Sequence, residues 1–369
     1  MEKFLRFKKD DLFLYAKTYM EKLGVPPEHA EIVSDVLIEA DIRGVDSHGI
    51  IRIYTYYGNR LEKNYMDATT PYKVISETDT TVLYDGGNGL GHVVSYEAMK
   101  KCISMAKKSN IGMATVKNSN HYGIAAYYSM MALEHDMIGI SLTNSQPLVA
   151  PTYGRTAVIG TNPISFAAPS YNEYPFVLDM ATSVVPIGRI KVYEEKKEKI
   201  PMGWGIDDDG NVTDDPEKVK SGGPGALMPL GGTDTLRGYK GYGLAVMVEI
   251  LCAALSGASF FTGVGFPNEP KICDVSHFFM AINIEAFRPV IDFKKQLDSM
   301  IRLLKESPKA KGRDTIYVAG EKEFETAKYN RENGVPVLEP VVRDLVSNGR
   351  RLGIPFELKS LQGADGKYS

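Results

Sequence analysis

Two of the chain's six histidines stand among residues that could do chemistry. Around the first, the chain reads Asp41-Ile42-Arg43-Gly44-Val45-Asp46-Ser47-His48-Gly49-Ile50-Ile51-Arg52. Gly44 should end the preceding helix, and Asp46 or Ser47 should cap the next. His48 would then lie at a helix N-terminus, among unpaired N–H groups that attract anions. Arg52, four residues on, would share its helical face. An imidazole beside a guanidinium suits a 2-oxo acid. The arginine can hold the carboxylate through two parallel bonds. The imidazole can give or take the proton on the adjacent oxygen. The bland alternative is a capping turn with an incidental surface histidine, and spacing alone does not separate the two.

His121 lies in Lys117-Asn118-Ser119-Asn120-His121-Tyr122-Gly123, at the carboxyl end of an expected strand, where open α/β sheets bind ligands. Asn144-Ser145 follow the next strand, Thr161-Asn162-Pro163 follow another, and Asp179 ends an apolar run. A carboxylate in an apolar strand needs a partner, and an imidazole is the expected one. Strand ends that repeatedly finish in Asn, Ser, Thr or Asp suggest one shared site. Of the other histidines, His29 and His135 should be solvated, His92 begins a helix, and His277 enters a strand.

The elements that must hold these residues alternate. Residues 1–65 read as three helices, the second opened by Pro26 and Pro27 and the third covering 50–65. Then TTVLYD is a strand, VSYEAMKKCISMAKK a helix, IGMATVKN a strand and GIAAYYSMMALEH a helix. MIGISLTN, VIGTNPISFAAP and YPFVLDMAT read as strands. Residues 201–232, rich in Gly, Pro and Asp, should be a long loop, and 242–255 a buried helix. HFFMAINIEAF is a strand, FKKQLDSMIRLLKES a helix and DTIYVAG a strand; the tail opens with a proline turn and closes with a helix. The class is α/β.

Gly86-Gly87-Asn88-Gly89-Leu90-Gly91 sits where a dinucleotide loop would sit, between strand and helix. Its spacing fails. G-x-G-x-x-G begun at Gly86 needs glycine at Asn88, and begun at Gly87 needs glycine at His92. A tight turn whose glycines take positive φ is expected instead.

With 369 residues, 43% of them hydrophobic, the chain can fill two or three domains. A net charge of -3 carries no basic excess, so no nucleic-acid partner is expected. Cys102, Cys252 and Cys273 lie far apart, which suggests buried reduced thiols with neither a disulfide framework nor a metal site. The N-terminus lacks the apolar run of a signal peptide. Glu249 interrupts the apolar stretch at 244–261, which reads as a buried helix and not a membrane span. A cytoplasmic protein without a membrane partner is expected.

Taken together, DSHGIIRI, NSNHYGIAAYY, TNSQPLVAPTYG, IGTNPISFAAP, VLDMAT, GALMPLGG and YKGYGLA make the chain resemble the type-2 malate/L-lactate dehydrogenases over roughly residues 4–352. That group also includes ureidoglycolate, sulfolactate and diketogulonate oxidoreductases. The resemblance implies a non-Rossmann dinucleotide-binding mixed sheet, like that of sulfolactate dehydrogenase, and an intertwined homodimer. It implies a dinucleotide-binding domain over 76–289, and a helical substrate and dimerisation domain from 1–75 with 290–369. It implies NAD as cofactor, with NADP as the alternative, and (S)-malate with oxaloacetate as the substrate pair. L-lactate, sulfolactate, ureidoglycolate and cyclic imino acids stay open as substrates. By motif position, His48 matches the acid/base histidine with Ser47 beside it, and His121 a second active-site histidine that some members are thought to use as the proton acceptor. Arg52 and Tyr56 match substrate contacts. Ser145, Asp179, Met180, Ala181, Thr182, Lys240, Gly241, Gly320, Glu321 and Lys322 match nucleotide-contacting positions, and Asp179 could also orient an imidazole. Arg43, Arg155, Arg189 and Arg237 are candidates for a second substrate carboxylate. A catalytically silent cofactor-binding relative is the alternative of another class, against which intact His48, Arg52 and His121 argue.

Overall fold

The computed structural model describes residues 3–361. In chain order its main elements are β1 (Phe4–Phe7), α1 (Lys9–Lys22), α2 (Pro27–Ile42), β2 (Lys73–Glu77), β3 (Thr81–Asp85), α3 (Gly91–Ser109), β4 (Ile111–Ser119), α4 (Ala125–Met131) and β5 (Met137–Thr143). There follow β6 (Ile164–Ala168), β7 (Phe176–Met180), α5 (Ile187–Lys196), α6 (Tyr239–Glu249), β8 (Val275–Asn283), α7 (Val290–Glu306), α8 (Glu321–Asn333), β9 (Val335–Leu338) and α9 (Glu339–Arg351).

Seven strands form one mixed sheet in the order β2-β3-β4-β8-β5-β6-β7. β3 and β4 run parallel, joined through α3, and the other five neighbouring pairs are antiparallel. α3 and α4 cover one face; α6 and the wide helical turn Ile250–Ala254 cover part of the other. β8 has a strand on each side and a layer over each face, so Val275–Phe279 are all buried. That position explains its near-continuous apolar run. The strand directions bring the ends of β3, β4, β5 and β7 and the starts of β6 and β8 to one end of the sheet. His121, Asn144-Ser145, Asn162 and Asp179 therefore share that end.

A second core joins α1, α2 and the 50–62 segment to α8, β9 and α9, through Leu12, Tyr19, Leu37, Ile53, Tyr57, Ala327 and Val342 among others. Here several expectations need correction. The first 65 residues are not all helical, because β1 pairs antiparallel with β9, Phe4 opposite Leu338 through Phe7 opposite Val335. Leu5 and Phe7 point inward from this four-residue strand, too short to leave a local period. The tail's proline turn is the partner strand, where Pro336 sits on a two-stranded edge that tolerates it. The DTIYVAG strand is irregular chain, joined to β7 through the Val177 N–H donating to Ala319 O at 3.1 Å. Residues 201–232 hold a small sheet of Gly205–Ile206, Val212–Thr213 and Ala226–Leu227. The apolar helix beginning at Tyr239 is buried on one side only, with Met247, Ile250 and Leu255 exposed on the other. Part of the expected C-terminal domain, residues 362–369, lies outside the described residues.

Candidate active site

The segment around His48 is not one helix. Asp46–His48 form a single 3-10 turn, Gly49 is extended, and Ile53–Gly58 form a π-helix that tightens to α at Asn59–Glu62. Neither Asp46 nor Ser47 caps a helix with its side chain. The acceptor is Asp41 on α2, whose Oδ2 takes the Ile50 N–H at 2.7 Å. This contact decides Gly49. A Cβ there would stand 1.9 Å from Asp41 Oδ1, so only glycine fits beneath the carboxylate. Burial pushes the Asp41 carboxyl well above the usual range, against the pull of the Ile50 N–H.

Arg52 is brought to His48 by a different route from a shared helical face. Its Nε–H donates to Ser47 O at 2.7 Å, folding the guanidinium back over the turn. Ser47 Oγ lies 2.9 Å from His48 Nδ1. Burial, and then the Arg52 charge, lower the His48 imidazole to about 4.

His121 faces His48 across the gap between the two cores. Their rings stack with centroids 5.4 Å apart and planes 26° from parallel. The Tyr56 ring stands 5.2 Å from His121, and the Tyr57 hydroxyl lies 2.5 Å from His121 Nδ1. Two adjacent residues of this π-turn thus reach one imidazole, and such turns are common at functional sites. His121 is held well below its ordinary pKa by burial, then by the charges of His48 and Arg52.

The glycine loop before α3 positions this histidine. Gly87 alone of its glycines takes positive φ, at 62°, beside Asn88 at 52°. Gly91 serves contact instead: a Cβ there would stand 2.1 Å from Asn120 O and 2.6 Å from His121 O. The turn expected from sequence is present, but most of its glycines are set by close packing.

Asp179 does not meet a histidine. Its Oδ2 accepts the Ala126 N–H at 2.8 Å, at the start of α4, five residues beyond His121. Burial raises this carboxyl to about 6, while the Ala126 N–H and the Arg43 charge pull the other way. Solvent still reaches the side chain at the end of β7, so it does not lie in the core. Beyond it, Thr182 Oγ1 donates to Thr161 O and Asn162 O, both at 3.0 Å. Ser145 Oγ accepts the Thr161 N–H at 3.0 Å. The buried Glu249 ties Asn144 and Asn162 together at 3.2 and 3.1 Å, which fixes these strand ends to α6. Gly241 packs on Leu230, whose N–H donates to Thr182 O. Lys240 beside it is exposed. Ser145, Asp179, Met180, Ala181, Thr182, Lys240 and Gly241 thus form one rim. Gly320 lies against Val177 at its edge. The Glu321 carboxylate is committed to Lys305 and the Val318 N–H, and Lys322 lies over the Tyr317 ring.

Of the candidate second cations, Arg155 is turned to Asp208 O and Asp209, and Arg43 is buried against Phe324. His277, fully buried, bridges Thr143 and Ser119 at 2.8 and 2.9 Å and stacks on Tyr122. His29 is half-buried, not solvated as expected. Two residues not singled out in the sequence, Asp41 and Tyr57, hold the two histidines. Asp41 stood in the quoted motif with no signal for its role, and a helical reading of 50–65 hides Tyr57. Among the described residues no helix is long and apolar enough to cross a membrane, and no group of His, Cys, Asp or Glu is arranged to hold a metal ion.

Comparison with known proteins bears on this arrangement. The family model for malate/L-lactate dehydrogenase matches residues 7–346. A malate dehydrogenase of Pyrococcus abyssi is 47% identical, with 96% of each chain covered. An L-sulfolactate dehydrogenase of Methanocaldococcus jannaschii is 38% identical, over 92% of this chain and 94% of that one. The solved malate dehydrogenase of Pyrococcus horikoshii superposes with a TM-score of 0.88 at 43% identity, covering 97% of each chain.

Proposed function

This chain belongs to the malate/L-lactate dehydrogenase family, and we propose that it oxidises (S)-malate to oxaloacetate, reversibly, with NAD as cofactor and NADP as the alternative. The observation that carries the reading is the stacked His48–His121 pair with the Arg52 charge acting on both imidazoles.

The chain's own residues supply binding and proton handling. Because Arg52 Nε is bound to Ser47 O, both terminal amino groups remain for the substrate's C1 carboxylate. His48 takes the C2 hydroxyl proton in the oxidation direction, and His121 meets the same oxygen. Tyr56 walls the pocket. Asp179 acts at one remove, by fixing the start of α4 and so the loop that carries His121.

The rim of strand ends fits a dinucleotide. Lys240 and Arg237 are exposed and have no ion-pair partner among the described residues, so two cations are free for phosphate. A bound nicotinamide supplies the hydride acceptor. We assign residues 76–289 to holding it. The N-terminal helices with the C-terminal segment form the substrate side. The exposed apolar residues Ile250 and Leu255, and Leu303 and Leu304 on α7, support a homodimer that covers them.

The test is an assay of the purified protein with NAD and with NADP against malate, L-lactate, sulfolactate and ureidoglycolate, following the reduced nicotinamide's absorbance. Malate should give the highest kcat/KM. Turnover of a different acid above malate would reassign the substrate, and no turnover with any of them would favour a silent relative.

A further inference from the structure

His121 Nδ1 has two neighbours. The Tyr57 hydroxyl lies at 2.5 Å, and the Gly123 backbone N–H donates to the same nitrogen at 3.3 Å. A backbone N–H can only donate, so Nδ1 must offer a lone pair. A proton on Nδ1 would face the Gly123 hydrogen head-on. The tyrosine, free to rotate its hydroxyl, then donates as well. The imidazole is left with its single proton on Nε2, which has no protein partner among the described residues.

We propose that Tyr57 is a positioning residue that locks His121 as the neutral Nε2–H tautomer. His121 thereby serves as a fixed hydrogen-bond donor to the substrate's C2 oxygen, and His48 is left as the group that carries the proton. An imidazole already protonated at Nε2 has no lone pair there to accept a hydroxyl proton. Its other nitrogen faces Tyr57, whose fully buried hydroxyl resists ionisation and cannot relay a proton by becoming a tyrosinate. A neutral imidazole donor polarises a carbonyl in reduction and steadies the developing alkoxide in oxidation. This division of labour rests on the dehydrogenase reading; the tautomer does not.

The experiment pairs spectroscopy with kinetics. Long-range 15N–1H NMR on histidine-labelled protein reads the tautomer, and loss of one signal in His121→Asn assigns it. The wild type should show His121 protonated at Nε2 alone. In Tyr57→Phe, which keeps the ring and its packing, the one remaining donor is the Gly123 N–H at 3.3 Å, too long to hold the tautomer by itself, so an Nδ1–H population should appear beside the Nε2–H form. The kcat for malate should fall about tenfold while KM stays within about twofold. Wild-type protonation at Nδ1 would overturn the proposal even if the variant fails to fold. So would a variant with unchanged kcat, or one whose kcat falls with no change of tautomer. If no 2-hydroxy acid turns over, the functional reading fails while the NMR still decides the tautomer.

Discussion

The Asp41 carboxylate on α2 holds the Ile50 N–H at 2.7 Å, and so fixes the turn that presents His48. Asp41→Ala leaves a buried N–H unpaired, at a cost of about 1–3 kcal/mol. Asp41→Asn keeps an acceptor oxygen in place. The alanine variant should lose thermal stability and most of its kcat, and the asparagine variant should retain both. Equal kcat in all three proteins would show that the contact does not position His48.

Arg52 is expected to carry substrate binding. Removing a bidentate, charge-assisted partner costs roughly 2–4 kcal/mol, or about 30- to 1000-fold in kcat/KM. Arg52→Ala should show this loss with malate, and Arg52→Lys should recover only part of it because a point charge cannot form the fork. Wild-type malate kinetics in Arg52→Ala would sink the assignment.

The pH dependence follows from the depressed His48. At about 4, its imidazole is neutral through the physiological range. Malate oxidation needs that neutral form, so His48 should impose no loss of kcat/KM until the pH nears 4. Oxaloacetate reduction needs the imidazolium, so its kcat/KM should rise about tenfold per unit as pH falls from about 8 towards 5. A flat reduction profile would remove His48 as the acid. His48→Ala should nearly abolish turnover while a cofactor still binds.

Stability should also fall in acid. Burial lowers His92 and His277 to about 3 in the fold. An unfolded histidine titrates near 6.5, so unfolding takes up protons between those limits and stability is lost as pH drops below about 6.5. Each of the two should contribute a loss of about 2 kcal/mol between pH 7.5 and about 5. Denaturant titrations at the two pH values measure it. His277→Gln should reduce the difference by about that amount, and an unreduced difference would place the loss elsewhere.

The exposed apolar residues bear on assembly. Leu303 and Leu304 are 73% and 55% exposed on α7, and Ile250 is 54% exposed beyond α6. Light scattering should report a dimer. Leu303→Asp or Ile250→Asp should shift it towards monomer, and a wild-type monomer at assay concentration would end the homodimer reading.

Much was legible in the order of residues. The alternation of strands and helices, the strand ends finishing in Asn, Ser, Thr and Asp, and the failure of the glycine fingerprint are local patterns, and local patterns survive in a one-dimensional string. His48, Arg52 and His121 could be named from residue types and motif order alone. Their geometry could not. The i+4 relation of His48 to Arg52 presumed a continuous helix, which a 3-10 turn and a π-turn replace. Asp179 was expected beside an imidazole and instead caps the start of α4. The β1–β9 pairing joins residues more than three hundred positions apart, and no short window contains both strands. Asp41 and Tyr57 act through contacts with a neighbouring turn and a distant loop. The sequence therefore determined which groups could do the chemistry. Tertiary packing decided how they meet, because the Tyr57 hydroxyl and the Gly123 N–H reach one nitrogen of His121 only once a distant turn folds against its loop.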